Sequence, residues 1–285
     1  MNNKELASDP FFRTVYNDLS DLEGLNEFLR HYTYVLIKPD GIVGEGVDKT
    51  LNVLENAGYE VCNYVIINCN AYTAKLLWFY TSMSFPRMFL DVSSHLMNGR
   101  YAALLLLRDH QLASSNYETA CERLCYLKGS SVKQKRAPWN IREQIGSLNG
   151  LFAFIHSPDD PSTMLRELGV LLTEEVADFV QKGIKQPCKM TYQDTLLKFV
   201  EAIKEASDFH DLDYDRAMQR LRTLSSTLSS TVQKELWGAV EDKAPLKKIL
   251  RVQHKYKLPL SQWDITVIAV RKLEQCFEEE ARSRE

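Results

Sequence analysis

Four short apolar runs in the first part of the chain have the length and composition of β-strands. They are YTYVLI (32–37), YEVCNYVII (59–67), YAALLLL (101–107) and LFAFIH (151–156). Continuous apolar runs bounded by turn signals, such as the Pro-Asp-Gly after the first run, are typical of buried strands. The pattern therefore predicts four strands in the first 160 or so residues.

Residues at helical spacing separate these runs. Val47, Leu51 and Leu54 share one helical face, and Gly58 follows as a typical C-terminal stop. Further helices are predicted at about 72–83, 86–97, 114–128 and 161–168, with a polar, amphipathic helical lead-in over 5–30. This order of elements predicts an α+β fold, a ferredoxin-like βαββαβ sheet with its helices on one face.

The pattern changes after about residue 170. Strand-like alternation disappears, while Leu221, Leu224 and Leu228 begin an apolar stripe at three- and four-residue spacing. We predict an all-α helical bundle of four or five helices for this part. The chain would then consist of an N-terminal helical extension (1–30), the α+β domain (31–170) and a helical C-terminal domain (171–285).

Composition narrows the function classes. The 285 residues carry a net charge of −3, with 45% hydrophobic and 26% charged residues, as in ordinary soluble globular proteins. Without overall basicity we do not expect nucleic-acid binding. The absence of an apolar run of about 18–20 residues or of a signal-like start predicts a cytoplasmic protein without a membrane span. The six cysteines form no CxxC pair, so no protein-bound metal is expected.

His156 is the first candidate for chemistry. It ends the fourth predicted strand and precedes a turn and a helix N-terminus, where a phosphate is favoured. Glu167 lies eleven residues later, so its carboxylate could fold back to one ring nitrogen and leave the other as a nucleophile. On residue types alone, a histidine that only caps a strand end is the favoured interpretation.

A set of motifs overturns that preference. The chain contains, in order, YVLIKPDG, ENAGYEV, MNGRYAALLLL, GSSVKQKRAPWNIR and FIHSPDDPSTMLRELG. In order and nearly in spacing, these resemble the nucleoside diphosphate kinases over residues of about 32–170. Residues 171–285 resemble nothing in that family.

The resemblance implies catalytic roles for three residues. His156 would be the phosphohistidine, Glu167 would orient it, and Lys38 would contact the transferred phosphate and the sugar hydroxyl. Mg²⁺ would arrive on the nucleotide phosphates. The resemblance also implies a nucleotide site formed by Lys38, Tyr80, Arg87, Phe89, Arg123, Ser131 and Arg142.

Within that set, Tyr80 would pack beside the histidine and Phe89, or Met88 beside it, would support the base. Ser131 and Arg142 would bind phosphate, with Ser131 in place of the family threonine. Arg87 and Arg123 would substitute for two family arginines that are displaced in this chain.

At three positions this chain departs from the family pattern of phosphate- and sugar-binding residues. Pro86 and Cys125 occupy the positions of those two arginines, and Ala153 replaces an asparagine that holds the sugar hydroxyl. The basic residues of the loop 133–136 could replace the missing cations, or could simply be solvated.

Two functions follow. The first is a phosphotransferase that moves the γ-phosphoryl group of a nucleoside triphosphate through His156 to a nucleoside diphosphate or a related phosphorylated acceptor. The alternative is a non-catalytic nucleotide-binding scaffold or regulator whose helical domain binds a protein partner. The joint presence of His156, Glu167 and Lys38 favours the enzyme. The resemblance also implies a homo-oligomer, which the helical domain could block; the acceptor and the preferred base stay open.

Overall fold

A four-stranded antiparallel sheet lies at the centre of the protein. The computed structural model describes residues 3–82, 87–173, 175–185, 191–206 and 210–282. The strands are β1 (Tyr32–Ile37), β2 (Tyr59–Asn68), β3 (Tyr101–Asp109) and β4 (Ile155–His156). Their order in the sheet is β2-β3-β1-β4, which is the ferredoxin-like arrangement, and the predicted fold class is confirmed.

Helices account for most of the remaining described residues. Up to the end of the α+β part they are α1 (Asn3–Ser8), α2 (Pro10–Leu19), α3 (Leu25–His31), α4 (Pro39–Val43), α5 (Val47–Asn56), α6 (Thr73–Leu77), α7 (Phe79–Ser82), α8 (Arg87–Met97), α9 (Ala120–Lys128), α10 (Ile141–Gln144) and α11 (Pro161–Leu172). The later ones are α12 (Val176–Lys185), α13 (Thr191–Ala206), α14 (Tyr214–Ser226), α15 (Ser230–Val240), α16 (Pro245–Tyr256) and α17 (Gln262–Arg282). Short 3₁₀ turns occur at Leu112–Ser114 and Lys133–Lys135.

Helices cover both faces of the sheet. Tyr34, Leu106 and Asn63 are paired across β1, β3 and β2 and so lie on one face. Gly183 of α12 approaches Leu106 and Asn63 on that face, whereas α9 packs against β1 on the side of Thr33. The prediction of helices on one face is therefore wrong. The reason is visible in β1, which is buried at all six positions, as in a strand covered on both sides.

The last predicted strand is shortened to two residues. Only Ile155 and His156 pair with β1, because the backbone before them makes other hydrogen bonds. The Asn149 side chain accepts from the first two N–H groups of the run, and Phe154, at a positive φ of 60°, donates its N–H to Asp40. This irregular segment brings the strand end close to the start of α4.

Some helix boundaries also differ from prediction. The helix predicted from residue 114 begins at Ala120, because Thr119 and Glu122 form a reciprocal capping box there. The helix predicted over 72–83 is interrupted at Trp78, and residue 83 lies outside the described residues. The helix predicted to start at residue 86 is described from Arg87, since residue 86 lies outside as well.

The N-terminal helices pack on the α+β part. Asp9 caps α2, whose buried Val15 and Leu19 face α11. The two helices approach closely at Gly169, where a Cβ would lie 2.9 Å from the Val15 side chain and 3.0 Å from the Phe11 carbonyl oxygen. A residue without a side chain is thus required for this contact.

All described elements after residue 172 are helical, as predicted, but they number six rather than four or five. The last of them, α17, packs on α8, and the Arg100 guanidinium lies 3.9 Å from the Trp263 ring centre. One hydrophobic cluster runs through the sheet and the helices on both sides. The three-part division of the chain stays a prediction. Among the described helices, none is both long and apolar enough to cross a membrane.

Substitution of Gly169 tests the docking of α2. We expect Gly169→Ala to destabilise the protein by about 1–3 kcal/mol, because the added methyl group overpacks a tight helix contact. Gly238→Ala is the matched control, since a Cβ at Gly238 meets nothing within 4 Å. Replacing a helical glycine there should stabilise by about 0.5–1 kcal/mol. Urea denaturation of both variants measures the difference, and equal effects at the two sites would contradict the packing.

His95 in α8 makes stability depend on pH. Burial, and then the nearby Arg100, lowers the pKa of His95 to about 4, so the folded protein holds it neutral. The stability that neutral His95 contributes should be fully present above its unfolded pKa of about 6.5 and should decrease as the pH falls towards 4. The free energy of unfolding should fall by about 1–3 kcal/mol over this range. Urea denaturation of His95→Gln between pH 7 and 4.5 should show a shallower decrease than the unchanged protein. The exposed His254, changed to Gln, should leave the decrease as it is.

Candidate active site

His156 and Glu167 meet at the end of β4. The imidazole Nε2 lies 3.0 Å from Glu167 Oε2, and Glu167 is buried in α11. The Tyr34 hydroxyl donates to the same oxygen. Burial, followed by the charge of Glu167, raises the pKa of Tyr34 well above its usual value, so the hydroxyl keeps its proton and remains a donor. Oε2 of the carboxylate therefore has two hydrogen-bond partners, Tyr34 and His156.

Trp78 contacts the other ring nitrogen. Its indole Nε1 lies 3.4 Å from His156 Nδ1, with the two rings nearly perpendicular at 88°. An indole N–H can only donate, so Nδ1 accepts and Nε2 carries the proton that is donated to Glu167. The arrangement selects the neutral tautomer with its lone pair on Nδ1.

The predicted neighbour of the histidine was Tyr80, whereas the structure brings Trp78 to the imidazole; the role of Tyr80 in the nucleotide site stays a prediction. The Tyr80 hydroxyl donates to Asp9 Oδ2 at 2.9 Å, and the Arg166 guanidinium lies 4.9 Å from its ring centre. Trp78 lies at the break between α6 and α7, and its side chain reaches the imidazole.

Lys38 is buried beside the site at the N-cap of α4. Its Nζ donates to the Leu151 carbonyl at 2.6 Å and lies 3.3 Å from Asp40 Oδ1, an ion pair without hydrogen-bond geometry. Burial lowers the pKa of Lys38, although Asp40 opposes the shift. Asp40 also accepts the Phe154 N–H, a role that its position in a Pro-Asp-Gly turn signal did not indicate.

Two more buried cations surround the strand end. Lys128 donates to the Ser157 carbonyl at 2.9 Å, and Arg142 donates to the carbonyls of Gly129 at 2.8 Å and Ile155 at 3.4 Å. Burial, followed by the charge of Arg136, lowers the pKa of Arg142 to about 10. Lys128 was missed in the sequence, where its position just before Gly129 was the available signal.

Two polar atoms next to these cations are buried and unsatisfied. Arg142 Nε and Ser157 Oγ have no hydrogen-bond partner among the described residues. Buried donors normally have partners, so unsatisfied ones often mark a place where a ligand or water binds. Ser157 directly follows His156, and Arg142 donates to the carbonyl of Ile155, the residue before His156.

Arg123 is not brought to the histidine. It donates to Asp109 at 2.8 Å and to the Ala57 carbonyl at 2.8 Å. Leu36 pairs with both His156 and Leu104, and Asp109 is five residues further along β3, or roughly 17 Å away. From its position on α9, the Arg123 side chain therefore forms its bonds at the end of the sheet that lies away from His156.

The other predicted nucleotide-binding residues occupy varied positions. Arg87 is exposed at the start of α8, and Phe89 is partly buried against the core. Ser131 is exposed, and its carbonyl accepts from Arg136, which is also bonded to main-chain carbonyls at Ser130 and Ser147. Their nucleotide-binding roles stay predictions. Within the described ranges, no group of three or more His, Cys, Asp or Glu side chains is placed to hold a metal ion.

The sequence model described as nucleoside diphosphate kinase matches residues 31–176. The chain belongs to the nucleoside diphosphate kinase family. The match spans a little over half of the chain and contains β1 to β4 and α11, which together carry His156 and Glu167. Helices α1 and α2, all but the last residue of α3, all but the first residue of α12, and the described helices after α12 lie outside this nucleoside diphosphate kinase region.

Solved nucleoside diphosphate kinases are similar in structure. The enzyme of Aquifex aeolicus is 19% identical, with 49% of this chain and 93% of that chain covered and a TM-score of 0.41. The enzyme of Borrelia burgdorferi, solved as a transition-state mimic with vanadate and ADP, is 13% identical over 52% and 90%, with a TM-score of 0.43. The enzyme of Encephalitozoon cuniculi is 15% identical, with 58% of this chain and 98% of that chain covered and a TM-score of 0.43. No curated protein matches the chain.

The Tyr34 hydroxyl should stabilise the protein through Glu167. We expect Tyr34→Phe to lower the free energy of unfolding by about 1–3 kcal/mol, because it leaves a buried carboxylate without one of its donors. Tyr256→Phe removes a similar bond to Glu235, which is partly exposed, so water can replace the donor there. Urea denaturation should show the larger loss for Tyr34→Phe. A larger loss for Tyr256→Phe would count against the buried carboxylate as described.

Proposed function

We propose that this protein is a phosphotransferase in which His156 carries the phosphoryl group. The donor is a nucleoside triphosphate, and the acceptor is a nucleoside diphosphate or a related phosphorylated molecule. The observation that supports this most directly is the pair of contacts on the imidazole, Trp78 Nε1 at Nδ1 and the buried Glu167 at Nε2, from which we infer a lone pair on Nδ1 and a proton on Nε2.

The reaction consists of two displacements. In the first, the Nδ1 lone pair attacks the γ-phosphorus, the bond from that phosphorus to the β,γ-bridging oxygen breaks, and the nucleoside diphosphate leaves. The ring then has a positive charge, which Glu167 stabilises through Nε2–H. In the second, a terminal phosphate oxygen of the acceptor attacks the same phosphorus and the P–N bond breaks, which restores the neutral imidazole.

Phosphoryl transfer requires neutralisation of the phosphate charge. Lys38, Lys128 and Arg142 are buried cations around the strand end, and they now donate to main-chain carbonyls. In the proposed mechanism some of these donors turn to the phosphate oxygens. Mg²⁺ enters as part of the nucleotide substrate, because it binds phosphates and water more readily than protein cages.

Trp78 has to leave Nδ1 before the nitrogen can attack. The separation of 3.4 Å is long for a hydrogen bond, and such a contact is weak. A nucleotide phosphate could therefore displace the indole at small cost. In this proposal Trp78 keeps the correct tautomer until the substrate binds.

A second function has support from a specific observation. All three buried cations are bonded to carbonyls and Nδ1 is covered, which would also suit a non-catalytic nucleotide-binding scaffold. Binding of a protein partner through the described C-terminal helices, and assembly into a homo-oligomer, remain predictions.

Labelling distinguishes the two functions. Incubation with Mg²⁺ and ATP labelled at the γ-phosphate should give an acid-labile, base-stable label on the protein, as expected of phosphohistidine. His156→Ala should remove the label, and His254→Ala, at an exposed histidine of the bundle, should retain it. Label that persists in His156→Ala would overturn the assignment, and no label on the unchanged protein would favour the scaffold.

The labelled protein also identifies the acceptor. Adding each common nucleoside diphosphate in turn shows which of them removes the label. Ala153 offers no side-chain hydrogen bond to a sugar hydroxyl, and its carbonyl already accepts from Ser147. Discrimination among acceptors then has to come from other contacts.

A further inference from the structure

Asp9 lies outside the family region but reaches the neighbourhood of the imidazole. Its two carboxylate oxygens have separate partners. Oδ1 caps α2 by accepting from the N–H groups of Phe11 at 2.9 Å and Phe12 at 3.1 Å. Oδ2 accepts from Arg166 Nε at 2.9 Å and from the Tyr80 hydroxyl at 2.9 Å. One oxygen thus stabilises its own helix and the other binds the α+β domain.

Arg166 connects this carboxylate to both sides of the imidazole. Its guanidinium is buried and donates to the carbonyls of Leu76 at 2.7 Å and Leu77 at 3.4 Å. These are the two residues directly before Trp78, which contacts Nδ1. Arg166 also directly precedes Glu167, which contacts Nε2.

We propose that Asp9 is a positioning residue of the phosphohistidine site. By holding Arg166, it fixes Trp78 on one nitrogen of His156 and Glu167 on the other. This inference rests on the proposed function, because the tautomer it maintains is the one that makes Nδ1 a nucleophile. The N-terminal extension would then be part of the catalytic apparatus.

Loss of the Asp9 carboxylate should strongly disturb Arg166, for energetic reasons. A buried guanidinium without its counter-ion is costly, and removing one partner of a buried pair leaves the other unsatisfied. Burial by itself raises the pKa of Asp9, but the hydrogen bonds from Arg166, Phe12 N–H and Tyr80 outweigh it and the pKa lies below its usual value. The carboxylate is therefore charged at neutral pH. If that charge is lost, Arg166 has to reorganise, and the carbonyls before Trp78 reorganise with it.

Asp9→Asn separates the two roles of the carboxylate. Asparagine is as good an N-cap as aspartate, so the bonds to Phe11 and Phe12 can persist. Its amide nitrogen cannot accept from Arg166 or Tyr80. Asp213→Asn is the matched control, since Asp213 caps α14 by accepting from Arg216 N–H at 2.8 Å, in the helical part of the chain. Tyr80→Phe removes only one of the two bonds to Oδ2.

Three measurements on the full chain test the proposal. They are the single-turnover rate of phosphorylation by Mg-ATP, the dissociation constant of ATP, and the imidazole tautomer of His156 from ¹⁵N NMR. We expect Asp9→Asn to slow phosphorylation roughly ten- to a hundredfold, as small misplacements of reacting groups do. The fraction with the proton on Nε2 should fall, and the dissociation constant should stay the same. Tyr80→Phe should give a smaller change of the same kind, and Asp213→Asn none.

Several outcomes would overturn the proposal. An unchanged rate and tautomer in Asp9→Asn would do so, as would an equal loss of rate in Asp213→Asn. If Asp9→Asn does not fold, Tyr80→Phe decides by the same two readouts. If the unchanged protein takes no label, the proposed function fails, but the NMR tautomer of the variants still shows whether Asp9 positions His156.

Discussion

A carboxylate buried between a tyrosine and a histidine is the constraint on which the site depends. A buried carboxyl group such as Glu167 requires hydrogen-bond donors in place of water, and Tyr34 and His156 Nε2 supply them. Tyr34 is fixed by the centre of the sheet, His156 by the strand end and Glu167 by α11. The sheet, the last strand and the helix that follows must therefore all be folded and packed together before these contacts can fix the tautomer of the imidazole.

The parts of the chain outside the family region take part in that arrangement. Helix α2 brings Asp9 to Arg166, one residue before Glu167, while α12 covers the sheet face on which Tyr34 lies. Farther away, Arg100 packs on Trp263 of α17. The added helices share one hydrophobic cluster with the sheet. Their removal would be expected to affect the geometry at His156 as well as stability.

The cations near His156 illustrate how a site can keep its charge when positions change. Cys125 is predicted to replace a family arginine, and Lys128, three residues later on α9, donates to the carbonyl of Ser157, the residue after His156. Arg123, two residues earlier, instead pairs with Asp109 at the far end of the sheet. The direction of each side chain on α9 therefore decides which basic residue lies beside the His156 segment.

By itself, the sequence determined the elements whose signals are local. Continuous apolar runs gave β1, β2 and β3, and the eleven-residue spacing correctly indicated the contact between His156 and Glu167. The tertiary structure decided what depends on direction and long-range contact. Trp78, at the break between α6 and α7, meets the imidazole, while Tyr80 donates to Asp9. Asp9 meets Arg166 across 157 residues, and no local periodicity encodes such a pair, because it exists only once α2 has packed on α11.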